Sequence, residues 1–265
     1  MQVQRNKSKV LITSMLSIMF LCTACQPKQD QKKEEQTQSR ANPAVAKESI
    51  NDLILSKTIT ITLPQPRVCD ESGCTDYEVQ TVETNHQWIN DYFMARIKKA
   101  DPVAFETSGA REIKKDVAER DLNLSSTVVR YVGQNQNLAT FAMMSFSYTA
   151  GAAHGMYHQE FVNFDLSKKK RIALQDLIAN GSESKILENL YSANSTWLDA
   201  HNVSQDKLKL SDNFYYGANG IVFVYPLYEL ASYAEGMSEL VLPYQMLDKL
   251  IKPEYLPNLP NYKAS

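Results

Sequence analysis

The chain has 265 residues, of which 43% are hydrophobic and 22% are charged, with 28 basic and 30 acidic side chains. This length is sufficient for a sizeable core, in one large domain or two small ones packed together. The net charge of −2 argues against a nucleic-acid partner, because phosphate binding draws its affinity from clustered lysine and arginine.

The N-terminal segment has the pattern of an export signal. Three basic residues precede an apolar run over residues 10–21, which is about half the length that a membrane-spanning helix needs. The run ends in Leu-Cys-Thr-Ala-Cys, which resembles the cleavage site of lipoprotein signal peptidase. We therefore predict a signal peptide over residues 1–24, lipidation of Cys25, and attachment to a membrane through N-terminal acyl chains.

Residues 25–48 are predicted to form a disordered tether behind the acylated cysteine. They are rich in Gln, Lys, Glu and Ser and contain no aromatic residue, so they cannot bury enough apolar surface to offset their ordering entropy. Removal of the leader leaves 25 basic against 30 acidic groups, a net charge of −5. We expect a location in the cell envelope, and on the periplasmic face of the outer membrane if the cell is Gram-negative, because Gln26 and not Asp follows Cys25.

The remainder of the chain is predicted to be one compact α+β domain over residues 49–257, followed by a tail at 258–265. From periodicity, the predicted strands are 54–63, 77–82, 126–132, 138–148, 161–166, 221–225 and 239–242. The predicted helices are one behind a capping box at Thr84 and Gln87, one over 103–122, one behind Ser182, and one closing the domain at 244–251. Without a regular strand-helix repeat, an antiparallel sheet with packed helices is favoured, in two lobes of about 49–150 and 151–257.

Two cysteines of this domain, Cys69 and Cys74, form an even pair in an oxidising compartment. They flank the turn-forming sequence Asp-Glu-Ser-Gly between two predicted strands, so we predict a disulfide across a hairpin. A metal site is not predicted here, because no further ligand residues lie nearby in the sequence.

Two stretches resemble a known family. Residues 148–155 read Tyr-Thr-Ala-Gly-Ala-Ala-His-Gly, followed by Asn-Phe-Asp-Leu at 163–166 and Leu-Gln-Asp-Leu at 174–177. Residues 219–223 read Asn-Gly-Ile-Val-Phe, followed by Tyr-Glu-Leu-Ala-Ser-Tyr-Ala-Glu-Gly at 228–236 and Val-Leu-Pro-Tyr at 241–244. Together these motifs resemble the extracytoplasmic domain of RsiV-type anti-sigma factors, which also accompanies the deacetylase domain of PdaC-type proteins. Ala152 and Ser232 depart from the glycine and proline usual in that family.

The resemblance implies a non-catalytic binding domain. In RsiV the domain recognises lysozyme outside the cell, and the deacetylase chemistry of PdaC belongs to a separate domain. Lysozyme, a related muramidase or peptidoglycan itself is therefore the expected partner, and we assign no catalytic residue and no cofactor. The alternative is a protein that binds or modifies peptidoglycan, in the manner of the deacetylase-associated members.

The candidate ligand or partner surface comprises Tyr148, Gly151, His154, Gly155, Tyr225, Tyr228, Glu229, Tyr233 and Glu235. Tyrosines supply a large contact area with little rotamer entropy, and with neighbouring carboxylates they suit either a basic protein or a glycan. A net-acidic domain would also be steered toward strongly cationic lysozyme. The other interpretation is that these tyrosines are half-buried packing beneath a long loop.

His154, His158, Glu229 and Glu235 also admit metal and enzymatic interpretations. His154 and His158 are four apart, but the residues after Gly155 resemble a strand, in which such positions lie about 13 Å apart. No metal site is therefore predicted. Glu229 and Glu235 could serve as paired acids in sugar hydrolysis only if they lie close together in space.

Overall fold

The computed structural model describes residues 53–71, 73–107 and 116–258. The predicted signal peptide, Cys25, the tether and all but the first residue of the tail lie outside these ranges. The described residues belong to a single compact unit. None of its described helices has the length and apolar character to cross a bilayer.

The larger of two sheets contains β1 (Ser56–Thr60), β2 (Arg67–Asp70), β3 (Gly73–Thr84), β4 (Leu122–Asn135), β5 (Leu138–Tyr148), β6 (Met156–Asp165) and β7 (Lys170–Arg171). The strand order is β1-β3-β4-β5-β6-β7, with β2 also paired to β3. All pairs are antiparallel except β3 with β4. The predicted antiparallel α+β fold is confirmed, and the parallel pair follows from a helical crossover between β3 and β4.

That crossover contains α1 (Gln87–Ala100), which packs on one face of the sheet. Its buried side chains Ile89, Phe93 and Ile97 recur every four residues, the spacing of one helical face. The Phe93 ring lies 5.2 Å from that of Phe141 and 5.9 Å from that of Phe164, measured between centroids. The aromatic cluster fixes the helix on the centre of the sheet.

The predicted capping box before α1 is wrong. Thr84 is the last residue of β3, where it pairs with Ser56 of β1. Its hydroxyl donates to Asn90 Oδ1 at 2.8 Å, and His86 occupies the N-cap position without a side-chain cap. Strand pairing therefore holds Thr84 two residues before the position that a capping box requires.

The smaller sheet and its helices follow in the chain. The elements are α2 (Leu174–Leu177), α3 (Glu183–Ala200), β8 (Phe214–Tyr216), β9 (Gly220–Tyr225) and β10 (Ser238–Pro243), with strand order β10-β9-β8. The helix α3 buries Ile186, Leu190 and Leu198 in a second core that also contains β9 side chains. The helix behind Ser182 and the strands β9 and β10 are confirmed, whereas β8 is too short to give a period-2 pattern.

Two predicted helices are wrong. Within residues 103–122 the structure has short 3₁₀ turns at Pro102–Phe105 and Glu119–Asp121, and residues 108–115 lie outside the described ranges. Leu122 already belongs to β4, where it pairs with Cys74, so strand pairing prevails over the helical pattern. The predicted closing helix is only the 3₁₀ turn Tyr244–Met246, because Ile251 instead forms a bridge to Ile178.

Two large hydrophobic cores are present among the described residues, and a small third cluster of Phe161, Val222 and Val224 lies between β6 and β9. The core beneath α1 extends from Ile54 to Leu166 and includes β6 side chains. The core beneath α3 takes most of its residues from Ile172 to Tyr255. The predicted boundary at residues 150 and 151 lies within the stretch that supplies the core beneath α1.

Candidate functional site: a surface made by two loops

Two loops that are distant in sequence meet at one end of β6. One is the loop 149–155 between β5 and β6, and the other is the loop 226–237 between β9 and β10; together they are called the two-loop surface. The His154 ring stacks on the Tyr233 ring with centroids 4.0 Å apart. The Tyr233 hydroxyl donates to the Gly155 carbonyl oxygen at 2.8 Å. The sequence-predicted residues His154, Gly155 and Tyr233 are thus brought into contact.

Gly155 is the point at which the first loop is fixed. It is buried, and a Cβ atom there would lie 2.2 Å from the Phe146 ring and 2.9 Å from the Ser147 carbonyl oxygen. Neither distance is compatible with a side chain, so glycine is required for the close approach of the loop to β5. The glycine places its carbonyl oxygen where Tyr233 can bind it.

Tyr228 is the most exposed tyrosine of the two-loop surface. The residue is 57% exposed, and its ring centroid lies 5.7 Å from that of Tyr233. Its backbone φ is +67°, a left-handed conformation that bulky residues adopt rarely. Such strain persists only where the surrounding structure imposes it, and it is common at binding sites.

Glu235 contacts His201, the residue that follows the last turn of α3. Its Oε2 lies 2.6 Å from His201 Nε2, and its Oε1 accepts a hydrogen bond from the Ser232 hydroxyl at 2.9 Å. The His201 ring stacks on Trp197 at 3.9 Å, and its Nδ1 lies 2.7 Å from the Trp197 carbonyl oxygen. The Trp197 carbonyl and then Glu235 raise the pKa of His201, and His201 and then Ser232 lower the pKa of Glu235.

The other residues predicted for the candidate surface lie in different surroundings. Tyr225 lies in the core at 1% exposure, its hydroxyl donates to the Lys209 carbonyl at 2.8 Å, and burial raises its pKa. Packing is therefore the correct interpretation for this tyrosine. Tyr148 is partly buried at the end of β5 opposite Leu124, whereas Gly151 and Glu229 are exposed in the loops.

Three observations concern the residues considered for metal binding and catalysis. Within the described ranges, no group of three or more His, Cys, Asp or Glu side chains could hold a metal ion. His154 stacks in a loop while His158 lies on β6, so the two do not act from one helical face. Both carboxylate oxygens of Glu235 have hydrogen-bond partners from its own surroundings.

Sequence reasoning missed several residues that build this surface. Trp197 and His201 come from α3, and the His201 contact joins residues 34 positions apart. Gly236 has a φ of +82°, and a Cβ atom there would lie 2.8 Å from the Tyr157 hydroxyl. The only local signal in the sequence was the glycine that follows the tyrosine-rich loop. Side-chain contacts between residues so far apart in sequence leave no periodic pattern.

Comparisons with known proteins agree with this fold. Residues 169–245 match the family model described as "Protein of unknown function (DUF3298)". The structure is similar to a DUF3298 family protein from Pseudomonas aeruginosa, with a TM-score of 0.61 and 19% identity over 79% of this chain and 99% of that chain. It is also similar to a DUF3298 family member from Bacteroides fragilis, with a TM-score of 0.50 and 15% identity over 75% and 94% of the respective chains.

No curated protein matches the chain. A DUF3298 region is therefore present, and the two solved structures show the fold alone. The matched region contains the loop 226–237 of the two-loop surface but not the loop 149–155.

Proposed function

We propose that this protein is an envelope lipoprotein whose folded domain is a non-catalytic binding module for lysozyme or a related muramidase. The observation that carries the proposal is the convergence of His154, Tyr228 and Tyr233 on one exposed surface. The two loops that supply these rings are also the segments whose motifs resemble the lysozyme-recognising family.

The chemistry of the surface suits a cationic protein. Tyr228 and the tilted Tyr233 ring offer amphipathic contact area that loses little rotamer entropy on binding. Glu229 adds an exposed carboxylate beside them. A net charge of −5 on the mature chain would steer a cationic partner toward the domain, and it should make the association salt-dependent.

The architecture of the surface suits recognition without large rearrangement. Tyr233 is hydrogen-bonded to Gly155, and Glu235 is held by His201 and Ser232. Side chains fixed in this way have little freedom left to lose when a partner binds, which favours affinity.

A direct test is to titrate the mature chain with hen egg-white lysozyme by calorimetry at low and high salt. We expect a Kd below about 10 µM at about 50 mM salt and weaker binding at about 300 mM. Tyr228→Ala should weaken binding by about tenfold or more, because it removes the exposed ring at the centre of the contact.

The matched control is Leu55→Ala, which truncates a side chain that is 70% exposed and lies beside β1, outside both loops. This variant should bind as the wild type does. Absence of a complex at high micromolar concentrations in low salt would contradict the proposal. An equal effect of the two variants would contradict the assignment of the surface.

A further inference from the structure

The first strand of the larger sheet has one edge without a partner strand among the described residues. β1 stands at an end of the strand order and pairs with β3 on its other side. The Asn85 N–H donates to the Leu55 carbonyl oxygen at 3.2 Å, and the Ile61 N–H donates to the Val79 carbonyl oxygen at 2.9 Å. The pairing with β3 therefore extends over residues 55–61, and the outer edge of this stretch is open.

The outer edge carries backbone groups that no described residue binds. Leu55 and Ile61 direct their backbone hydrogen bonds toward β3. Since alternate residues of an antiparallel strand share this orientation, Ser56, Thr58 and Thr60 direct their N–H and carbonyl groups away from β3. All three residues are exposed. The edge thus offers a regular row of donors and acceptors to another strand.

Other strand edges of the domain are closed by asparagine side chains. At β10, Asn194 accepts a hydrogen bond from the Val241 N–H at 3.2 Å and donates to the Val241 carbonyl oxygen at 2.9 Å. At β6, Asn213 accepts from the Phe161 N–H at 2.8 Å and donates to the Gln159 carbonyl oxygen at 2.7 Å. Covering an edge in this way prevents its pairing with another chain. Within the described ranges, no side chain covers the outer edge of β1 similarly.

The sequence of this edge fits a second copy of itself. Residues 55–61 read Leu-Ser-Lys-Thr-Ile-Thr-Ile, without proline, glycine or a carboxylate. If two copies pair antiparallel about a two-fold axis at Thr58, then Thr58 lies opposite Thr58 and Ser56 lies opposite Thr60. These are the residues whose backbone groups point outward, so in this register every outward N–H and carbonyl group of the three residues has a partner.

The side chains are compatible with the same register. Lys57 would lie opposite Ile59, so two lysines do not face each other. A lysine on an edge usually opposes association, but the Lys57 charge is balanced by Glu83, with Nζ and Oε2 3.0 Å apart. Leu55, which is 70% exposed, would lie opposite Ile61. Apolar cross-strand pairs of this kind stabilise antiparallel strands.

We propose that β1 is a self-association edge, at which two copies of this chain join their larger sheets into one continuous antiparallel sheet. The contact is isologous and occupies the same edge in both copies, so it closes as a dimer. It is narrow and consists mainly of backbone hydrogen bonds, so we expect a weak dimer with a Kd of about 100 µM. Three strands separate β1 from β6 in the sheet, so this edge is distinct from the two-loop surface and does not depend on lysozyme binding.

The test measures the association state of the mature chain by sedimentation equilibrium from about 5 to about 500 µM. The chain carries Cys25→Ser, so that its N-terminal thiol cannot link two copies. The wild-type edge should pass from monomer to dimer over this range. Thr58→Pro should weaken association by at least about tenfold, because proline removes the central outward N–H. An edge strand tolerates proline where that N–H faces solvent.

Thr58→Ala is the matched control, because it changes the same side chain and keeps the backbone N–H. It should dimerise nearly as the wild type does. Circular dichroism of both variants should match that of the wild type.

Cysteine trapping tests the register independently. Directly opposed residues of a hydrogen-bonded antiparallel pair have Cα atoms about 5.5 Å apart, a separation that a disulfide spans. Thr58→Cys should therefore form a covalent dimer on mild oxidation. Ser56→Cys should not, because the two copies of residue 56 would lie more than about 13 Å apart.

A wild type that remains monomeric at about 500 µM would overturn the proposal and would leave the edge to a strand of another protein. Dimerisation of Thr58→Pro equal to that of the wild type would also overturn it, as would equally fast trapping at residues 56 and 58. The trapping pair decides by itself should Thr58→Pro fail to fold.

Discussion

At the scale of single residues, the contact between His201 and Glu235 makes the attachment of the loop 226–237 depend on pH. The Trp197 carbonyl and Glu235 raise the pKa of His201. The stabilisation that this contributes is fully present below the unfolded pKa of about 6.5 and is lost as pH rises through the higher folded pKa. The lowered pKa of Glu235 contributes stability above its unfolded value, and that part is lost as pH falls.

His201→Gln should therefore destabilise the protein most near pH 6 and should have a smaller effect at about pH 9, because a higher pH favours the neutral imidazole and weakens the charged contact. Urea unfolding of the wild type and the variant at both pH values measures the difference. Glu235→Gln should reduce the same pH dependence, because it removes the partner carboxylate. A constant difference between wild type and His201→Gln across this range would contradict the charged contact.

At the scale of secondary-structure elements, the strands with long alternating patterns could be predicted from sequence. The pair β4 and β5 follows from alternation on both sides of a polar turn, and the structure closes that turn at Gln136, whose φ is +51°. The helix expected over residues 103–122 failed, because β4 begins at Leu122 and its parallel pairing with β3 is a long-range contact. Local propensity carries no information about a partner strand so far away in sequence.

A disulfide bond constrains the hairpin of β2 and β3. Cys69 and Cys74 face each other across the two strands, with Cα atoms 4.0 Å apart, and they are disulfide-bonded as predicted. The loop that the bond closes is short, so the chain-entropy model assigns it about 2 kcal/mol. Its role is to fix the local register more than to stabilise the whole domain.

The variant Cys69→Ser/Cys74→Ser should lower the free energy of unfolding by about 2 kcal/mol while the domain remains folded. Denaturant unfolding followed by tryptophan fluorescence measures the change. The wild type with its disulfide reduced is the control and should match the variant. Complete loss of folding in the variant would contradict a local role for the bond.

At the scale of the whole molecule, the sequence motifs identify both loops of the candidate site. They do not show that the two loops are in contact. His154 and Tyr233 are predicted separately, and only the packing of the smaller sheet beside β6 brings their rings to 4.0 Å. Tyr225 follows the same motif and yet lies in the core, because it is the last residue of the buried strand β9. Composition alone does not show where the strand ends and where the loop begins.

The polar end of β5 shows the same limit. Ser145 and Ser147 could be placed on a strand from sequence, but their exposure depends on where α1 ends above the sheet. The length of the helix relative to the strands beneath it is a property of the assembled domain. Sites formed by such differences in coverage become visible only in three dimensions.

Hydrogen–deuterium exchange of the mature chain, alone and with saturating lysozyme, tests most directly whether the two-loop surface is the binding site. Binding there predicts slower exchange in residues 149–155 and 226–237, with unchanged exchange in the hairpin of β2 and β3. Unchanged exchange in both loops, or protection confined to another face of the domain, would contradict it.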